Sequence, residues 1–336
     1  MTVTSWEVAK LAGVSQPTVS RALRDQRGVS PETRKRVRDA ARELGYVPIQ
    51  SGRALSTRTS SRIGIVSAEL SNPFYPALIE PLHDGLADAG YRTILVTDRG
   101  EVPVEVEPLI DGSLDGVLLT TSTIDSSLPR ELKRRGLPLV LVNRESDAVE
   151  FDRCVVDNAA GAAMVADLLV ELGHTRIASI MGPDTTSTGQ QRMEGFRQRL
   201  YERGVELPAE RVFYGPFSAA TGSDGLISLM AAEPTAVFCG NDVIAFGARN
   251  AALQNGTSVP HDLTVVGFDD IPMAAWPIFD LTTVATDLKE IANQAIKLLL
   301  WRMGNPAATA RRVVIQPKMA LRGTHSAPVT SARRTR

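Results

Sequence analysis

Within residues 15–21 stand Ser15, Gln16, Pro17, Thr18, Ser20 and Arg21, a run rich in hydroxyl, amide and guanidinium groups that bond base edges and phosphate oxygens. Groove reading needs these side chains on one rigid helix, and the flanking sequence supplies it. Thr4 and Glu7 have capping-box spacing, Val8, Leu11 and Ala12 share a helical face, and Gly13 permits a tight turn. Ser15 can then accept the Thr18 amide at the start of a second helix with Val19 and Leu23 inward, and Pro17 is tolerated in a first turn. A third helix is marked by Ser30 as cap, Pro31 at its start, Gly45 at its end and a stripe of Val37, Ala40, Ala41 and Leu44. Charge follows the same division. Residues 1–62 carry 12 Lys and Arg against 5 Asp and Glu, and the remainder 25 against 33, so a net charge of −1 hides a basic helical head on an acidic body. Such a head binds a polyanion with one end only, and its affinity falls steeply as salt rises.

A second set of chemistry-bearing residues follows short aliphatic runs at 63–66, 93–96, 116–119, 139–142, 176–180, 236–238 and 263–266. These runs alternate with helical patterns, which predicts an α/β fold of doubly wound parallel sheets in two lobes. Ligands of such sheets sit beyond the carboxyl ends of the strands. The residues there include Asn72, Phe74 and Tyr75, then Asn143 and Arg144, Asn241 and Asp242, and Asp269 and Asp270. Amides, carboxylates and a guanidinium in a desolvated cleft suit a polyhydroxylated ligand. The same residue types also cap helices, a reading that stays open for Asn72 and Asp242 and is the simpler one for Asp270. His174 reads as a helix C-terminal residue favoured by the dipole. There is no phosphate-loop, HExxH or G-x-S-x-G motif and no metal-like His spacing, so catalysis has little support and neither cofactor nor metal is expected. Cys154 and Cys239, without a CxxC partner, read as buried thiols. No export-type apolar stretch is seen and no span approaches 18 apolar residues, which predicts a cytoplasmic protein without a membrane partner. Residues 324–336 read as a flexible polar tail lacking leucine heptads.

The ordered series Val8, Ala12-Gly13-Val14-Ser15, Thr18-Val19-Ser20-Arg21, Thr33-Arg34, Val37 and Leu44-Gly45-Tyr46-Val47-Pro48 resembles the headpiece of the LacI/GalR family of bacterial transcription regulators. The resemblance implies a helix-turn-helix headpiece at 1–48, a hinge at 49–61, and an effector-binding and dimerisation domain at 62–323 of periplasmic-binding-protein type I architecture. It puts lobe 1 at about 62–159 and 289–319 and lobe 2 at about 160–288 and 320–323. Gln16, Pro17 and Arg21 match positions that contact bases in the family, whereas Ser15, Thr18 and Ser20 are assigned to phosphates or capping. The family's hinge becomes a helix on operator DNA, where a leucine matched by Leu55 wedges into the minor groove; Arg53 falls among the hinge contacts. Ile49 and Gly52 depart from the family's Asn and Ala, and Gly costs a helix about 1 kcal/mol relative to Ala, so this hinge is expected to be weakly helical without DNA. Residues 99–114, which include Pro103 and Pro108, are expected to hold an irregular helix.

In the body, Arg192 matches the family arginine that reaches the effector, Asp269 its acidic partner, and Phe217 an aromatic that packs on the ligand. Phe74 is expected as a wall from the other lobe, Trp276 as part of a segment that lines the pocket in many members, and Arg144 and Asn241 complete the set. The resemblance thus implies a ligand-controlled regulator, a repressor acting as a homodimer on double-stranded operator DNA. A carbohydrate or derivative is the preferred small-molecule effector and a purine or other metabolite the alternative. Readings from other classes are a cytoplasmic solute-binding protein and a carbohydrate-active enzyme.

Overall fold

Capping and turn residues set the first elements, each acting as its type dictates. The computed structural model describes residues 3–46, 59–97 and 109–329, apart from 24, 26, 68, 69, 110, 148 and 149, and the chain divides into two compact units, Met1–Ser60 and Ser61–Arg336. The first unit holds α1 (Ser5–Ala12), α2 (Gln16–Leu23) and α3 (Pro31–Glu43). The Thr4 N–H donates to Glu7 Oε2 at 2.7 Å in a complete capping box, and Gly13 ends α1 at φ +63°. Ser30 caps α3 by accepting the Thr33 N–H at 3.2 Å. Val8, Ala9, Ala12, Val19, Ala22, Val37, Ala40 and Ala41 are the buried centre of the unit. Leu11, expected on the inner face of α1, is instead exposed, because the helix buries the edge made by Val8, Ala9 and Ala12. Arg36 Nη2 donates to the Ala12 carbonyl at 3.2 Å, so α3 satisfies an open end of α1.

In the second unit, β-branched and leucine-rich runs build two sheets whose central strands are buried on both faces. The first contains β1 (Arg62–Ser67), β2 (Arg92–Thr97), β3 (Gly116–Leu119), β4 (Leu139–Val142), β5 (Asp152–Val156) and β11 (Arg312–Ile315), all parallel, in the order β11-β5-β4-β3-β1-β2. The second contains β6 (Ile177–Met181), β7 (Val212–Tyr214), β8 (Ala236–Cys239), β9 (Thr264–Asp269), β10 (Thr282–Ala285) and β12 (Lys318–Ala320), in the order β12-β10-β9-β8-β6-β7, with β12 antiparallel to β10. The covering helices are α4 (Phe74–Asp88), α5 (Leu128–Arg134), α6 (Asn158–Glu171), α7 (Ser187–Glu202), α8 (Ala219–Leu229), α9 (Asp242–Gln254) and α10 (Leu288–Gly304). The chain passes between the sheets after β5, after β10 and after β11. Strand order reverses between β1 and β3 and again between β6 and β8, and crevices form beyond the carboxyl ends of strands at such reversals. Most of the irregular helix expected at 99–114 falls on residues outside those described. Cys154 and Cys239 are buried, and burial pushes the Cys154 thiol up to about 12 and raises that of Cys239 as well. Among the described residues no helix is long and apolar enough to cross a membrane.

The ordered body does not stop at 323. Thr324 is buried, its carbonyl accepts the Val265 N–H at 2.9 Å and its hydroxyl donates to the Val265 carbonyl at 2.7 Å. Ser326 is tied to Thr264, so the first residues expected as tail line the second sheet. The sequence hides this because the segment is polar: its bonds run through hydroxyls and backbone, not through apolar periodicity. His174 belongs to the same network, with Nε2 2.8 Å from the Ser326 carbonyl and Nδ1 2.9 Å from the Thr235 hydroxyl. It is therefore a buried cross-link between the helix end, Thr235 and Ser326, and not simply a helix C-terminal residue favoured by the dipole. Burial holds its pKa below the ordinary 6.5, so the unfolded chain takes up a proton first. The His174 contribution should be fully present above about pH 6.5, shrink as pH falls below that value, and be gone once pH has passed through the lower folded-state pKa. Thermal unfolding of the wild type between pH 7.5 and 5 should show this slope, and His174→Gln should flatten it.

Candidate functional site

On the first unit, Ser15, Pro17 and Arg21 are exposed, and Gln16, Thr18 and Ser20 are half-buried on α2 or at its entry. Three of them are also structural. Gln16 Nε2 donates to the Ser5 hydroxyl at 3.2 Å, and the Ser15 and Thr18 hydroxyls are 2.8 Å apart. The Thr18 N–H, expected to donate to the Ser15 side chain, is instead taken by the Ser15 backbone carbonyl at 2.9 Å, and the Ser15 side chain meets the Thr18 hydroxyl. Arg53 and Leu55, with Ile49 and Gly52, lie outside the described residues.

In the second unit, hydrogen bonds join the loops beyond the two sheets. Asn72 Nδ2 donates to the Phe217 carbonyl at 3.2 Å, the Ile124 N–H to the Thr185 carbonyl at 3.0 Å, and the Glu145 N–H to the Ser187 hydroxyl at 2.8 Å. The lobes therefore touch across a cleft bounded by both strand reversals. Its second-lobe side is organised by Arg192, 2% exposed on α7. Thr186 caps that helix by accepting the Gly189 N–H at 3.1 Å, which sets Arg192 in the second turn, over the ends of β8 and β9. Its Nε donates to Asn158 Oδ1 at 2.9 Å, Nη1 to the Gly240 carbonyl at 2.7 Å and Nη2 to Asp269 Oδ1 at 2.8 Å; the guanidinium also lies 3.7 Å from the centre of the Phe268 ring.

Asp269 ends β9 with φ +117°, a conformation a side chain rarely adopts, and its carbonyl accepts from the Thr286 N–H and hydroxyl at 3.3 and 2.9 Å. Burial pushes its carboxyl up to about 6 against the opposing pull of Arg192. Asp242, also fully buried, is raised well above the usual carboxylate range by burial and then by the charge of Asp269. Its two oxygens accept from the Thr283 hydroxyl and from the Ile271 N–H at 2.9 Å, so it is a structural acid. A Cβ on Gly182 would stand 2.1 Å from the Phe217 ring, which shows that the ring fills the space a side chain would take at the end of β6.

The first-lobe side carries Arg144, whose Nη2 donates to the Tyr75 hydroxyl at 3.0 Å and whose guanidinium carbon is 5.9 Å from the centre of the Phe217 ring. Arg144, Phe217, Arg192 and Asp269 are thus brought to one cleft. Asn241 adjoins them, but its Oδ1 caps α9 by accepting the Ile244 N–H at 2.9 Å. Two expected residues are placed differently. Phe74 lies in the core of its lobe, edge-on to Tyr75, and the polar ring beside it supplies the cleft contact. Trp276 stacks with Phe279, itself stacked on Phe246, in a half-exposed apolar surface group instead of joining the Arg192 cluster. A four-residue 3-10 turn, Pro272–Ala275, immediately precedes it, and sequence patterning carries no signal for that turn.

Several residues passed over in the sequence complete the site. Asn158 Nδ2 donates to Gln191 Oε1 at 3.1 Å, and Gln191 Nε2 donates across the lobes to Glu145 Oε2 at 2.8 Å. Glu145 Oε1 also lies 2.8 Å from Nε of both Arg153 and Arg312, on strands of the first sheet. A bonded chain therefore runs from Asp269 through Arg192, Asn158, Gln191 and Glu145 to β11, next to a chain crossing. Ser67, at the carboxyl end of β1, has a buried hydroxyl with no partner among the described residues. The general signal for all of these was position after a strand or beside a helix cap; their mutual contacts depend on tertiary structure.

A groove-reading head joined to a two-lobed, charge-lined cleft defines a ligand-responsive DNA-binding regulator. The sequence profile of bacterial regulatory proteins of the lacI family matches residues 6–48, and that of a periplasmic binding protein-like domain matches residues 166–325. The chain is 34% identical to the HTH-type transcriptional regulator reg1 of Streptomyces lividans over 98% of each protein. It is similar to the transcriptional regulator CelR–cellobiose complex, with a TM-score of 0.74 and 30% identity over 96% of this chain and 99% of that one. It is also similar to the lac repressor dimer bound to operator and the anti-inducer ONPF, with a TM-score of 0.86 and 25% identity over 97% and 100%. The chain belongs to the lacI family of transcription regulators; these relatives are regulators, not enzymes.

The buried pair makes a direct prediction. Asp269→Asn leaves Arg192 without its counter-charge and should cost about 3–5 kcal/mol of the body's stability, whereas joint replacement of both residues by apolar ones of similar size should cost much less. Urea unfolding measures the difference, and a neutral Asp269→Asn would contradict it.

Proposed function

We propose that this protein is a cytoplasmic repressor that binds a pseudo-palindromic operator as a homodimer, and that a sugar or sugar derivative in the cleft sets its grip on DNA. The observation that carries this reading is the desolvated Arg192–Asp269 pair, set beside Phe217 and bonded onward through Asn158, Gln191 and Glu145 to the first lobe. Oriented carboxylate, amide and guanidinium groups engage ligand hydroxyls in pairs, and an aromatic face packs on the apolar side of a sugar ring. A ligand that favours one setting of the lobes shifts that equilibrium by its differential affinity. The cellobiose complex of the CelR relative is consistent with this class of ligand.

On the DNA side, Gln16, Pro17 and Arg21 read bases, Ser15, Thr18 and Ser20 hold phosphates or the helix start, and the hinge at 49–61 offers Leu55 as the wedge with Arg53 beside it. For the dimer, Leu253, Trp276 and Ile278 are 77%, 52% and 68% exposed. Ile278 and Leu253 border a cavity of about 290 Å³ lined also by Phe246 and Phe279, an apolar group suited to a second copy of the chain.

The experiment is a mobility-shift titration on promoter fragments at low salt with three proteins. Arg21→Ala should lose specific binding yet keep ligand-induced stabilisation. Ile278→Asp should sediment as a monomer and bind the operator at least roughly tenfold more weakly than the wild type. Loss of both properties in Arg21→Ala, or an intact dimer in Ile278→Asp, would contradict the assignments.

A further inference from the structure

Arg144 differs from the arginines that form ion pairs in the cleft and along the first sheet. Arg192 is answered by Asp269, Arg153 and Arg312 by Glu145, and Arg302 by Asp152. Arg144 has no carboxylate partner among the described residues. Nη2 is held by the Tyr75 hydroxyl, Nη1 makes only a long 3.4 Å bond to the Ser122 carbonyl, and Nε is buried with no partner.

Its position is in the cleft, against Phe217 from the opposite lobe. It is near enough to Asp269 to favour that carboxylate's ionisation, and near enough to Arg192 to disfavour its charge. Arg192 and Asp269 answer each other, and Asp242 is taken up by Thr283 and the Ile271 N–H, so among the described residues no carboxylate is left to face Arg144. The residue is part-buried, but its buried Nε lacks the hydrogen bond it needs, and a guanidinium's planar fork matches a carboxylate or phosphate in two parallel bonds. Ligand hydroxyls accept hydrogen bonds but leave the charge unopposed.

We propose that the effector is acidic: a polyhydroxylated molecule whose carboxylate or phosphate pairs with Arg144 while its hydroxyls engage Asp269 across the cleft. The proposal rests on the reading of this cleft as a sugar-effector site and narrows the ligand class. Tyr75 acts as a positioning residue, fixing the fork through Nη2 so that the Nε edge is presented to the anion.

The test is calorimetry and thermal shift on the full chain with matched probes: D-glucose, D-glucuronate and D-glucose 6-phosphate, then D-galactose and D-galacturonate, with adenine alongside. An acidic member should bind about ten- to a hundredfold more tightly than its neutral parent, the range of a charge-assisted bond, and the uronate and phosphate arms separate the two anions. Arg144→Gln should erase that preference, and Arg144→Lys should restore part of it, which a merely structural role would not do. A neutral sugar that binds as tightly as its acid, or an acid whose preference survives in Arg144→Gln, overturns the proposal and leaves the sugar reading standing. Binding of adenine alone, or of nothing in the panel, overturns both.

Discussion

The body of this protein is arranged around one desolvated ion pair. Taking a guanidinium and a carboxylate out of water costs several kcal/mol per ion, and the cost is offset only where geometry and extra hydrogen bonds are nearly complete. Arg192 meets that condition with Asn158, the Gly240 carbonyl and Asp269. Much of the local structure follows from it. Thr186 must start α7 where it does, β8 must end with its carbonyl turned inward, and Asp269 must hold a left-handed backbone that Thr286 secures. A second carboxylate charge beside Asp269 is opposed by both burial and repulsion, which raises Asp242 well above the usual carboxylate range and leaves it dependent on the Thr283 hydroxyl and the Ile271 N–H.

A pair built to that tolerance responds to what binds beside it, and here it is wired outward. Asn158 starts the helix that follows the first chain crossing, and Gln191 on α7 reaches Glu145 of the other lobe. Glu145 joins β5 and β11, strands that adjoin two of the crossings. A ligand that changes the contacts of Asp269 therefore bears on bonds that set how the lobes close. Packed interfaces of this kind settle in alternative arrangements and do not deform smoothly, which is how a small shift becomes a switch. The family's two functions are carried by separate compact units, so the coupling is a free energy between sites and is reciprocal.

The sequence disclosed those features that depend on local chemistry. Thr4 with Glu7, Gly13, and Ser30 with Pro31 specify helix ends without help from distant residues, and the alternating aliphatic runs specify two parallel sheets. Arg192, Asp269 and Phe217 were visible through family resemblance and meet in one cleft. What stayed hidden depends on packing between remote segments. Polar residues 324–326 look like tail because their ties to Thr264 and Val265 run through hydroxyls and backbone. Leu11 and Trp276 were misplaced because periodicity gives the spacing of apolar side chains but not which edge of a helix or turn finds a partner. The relay through Asn158, Gln191 and Glu145 joins residues 33 and 46 positions apart, and no spacing rule addresses that.

Reciprocity supplies the most direct test of the account as a whole. Calorimetric titration of the protein with the sugar or sugar acid that stabilises it should be done with and without saturating operator fragment. The dissociation constant should change by a factor in the range of about 5 to 150, matched by an equal factor in operator affinity measured with and without the ligand. A ligand that occupies the cleft with the same constant in both titrations would contradict the claim that cleft and headpiece are coupled.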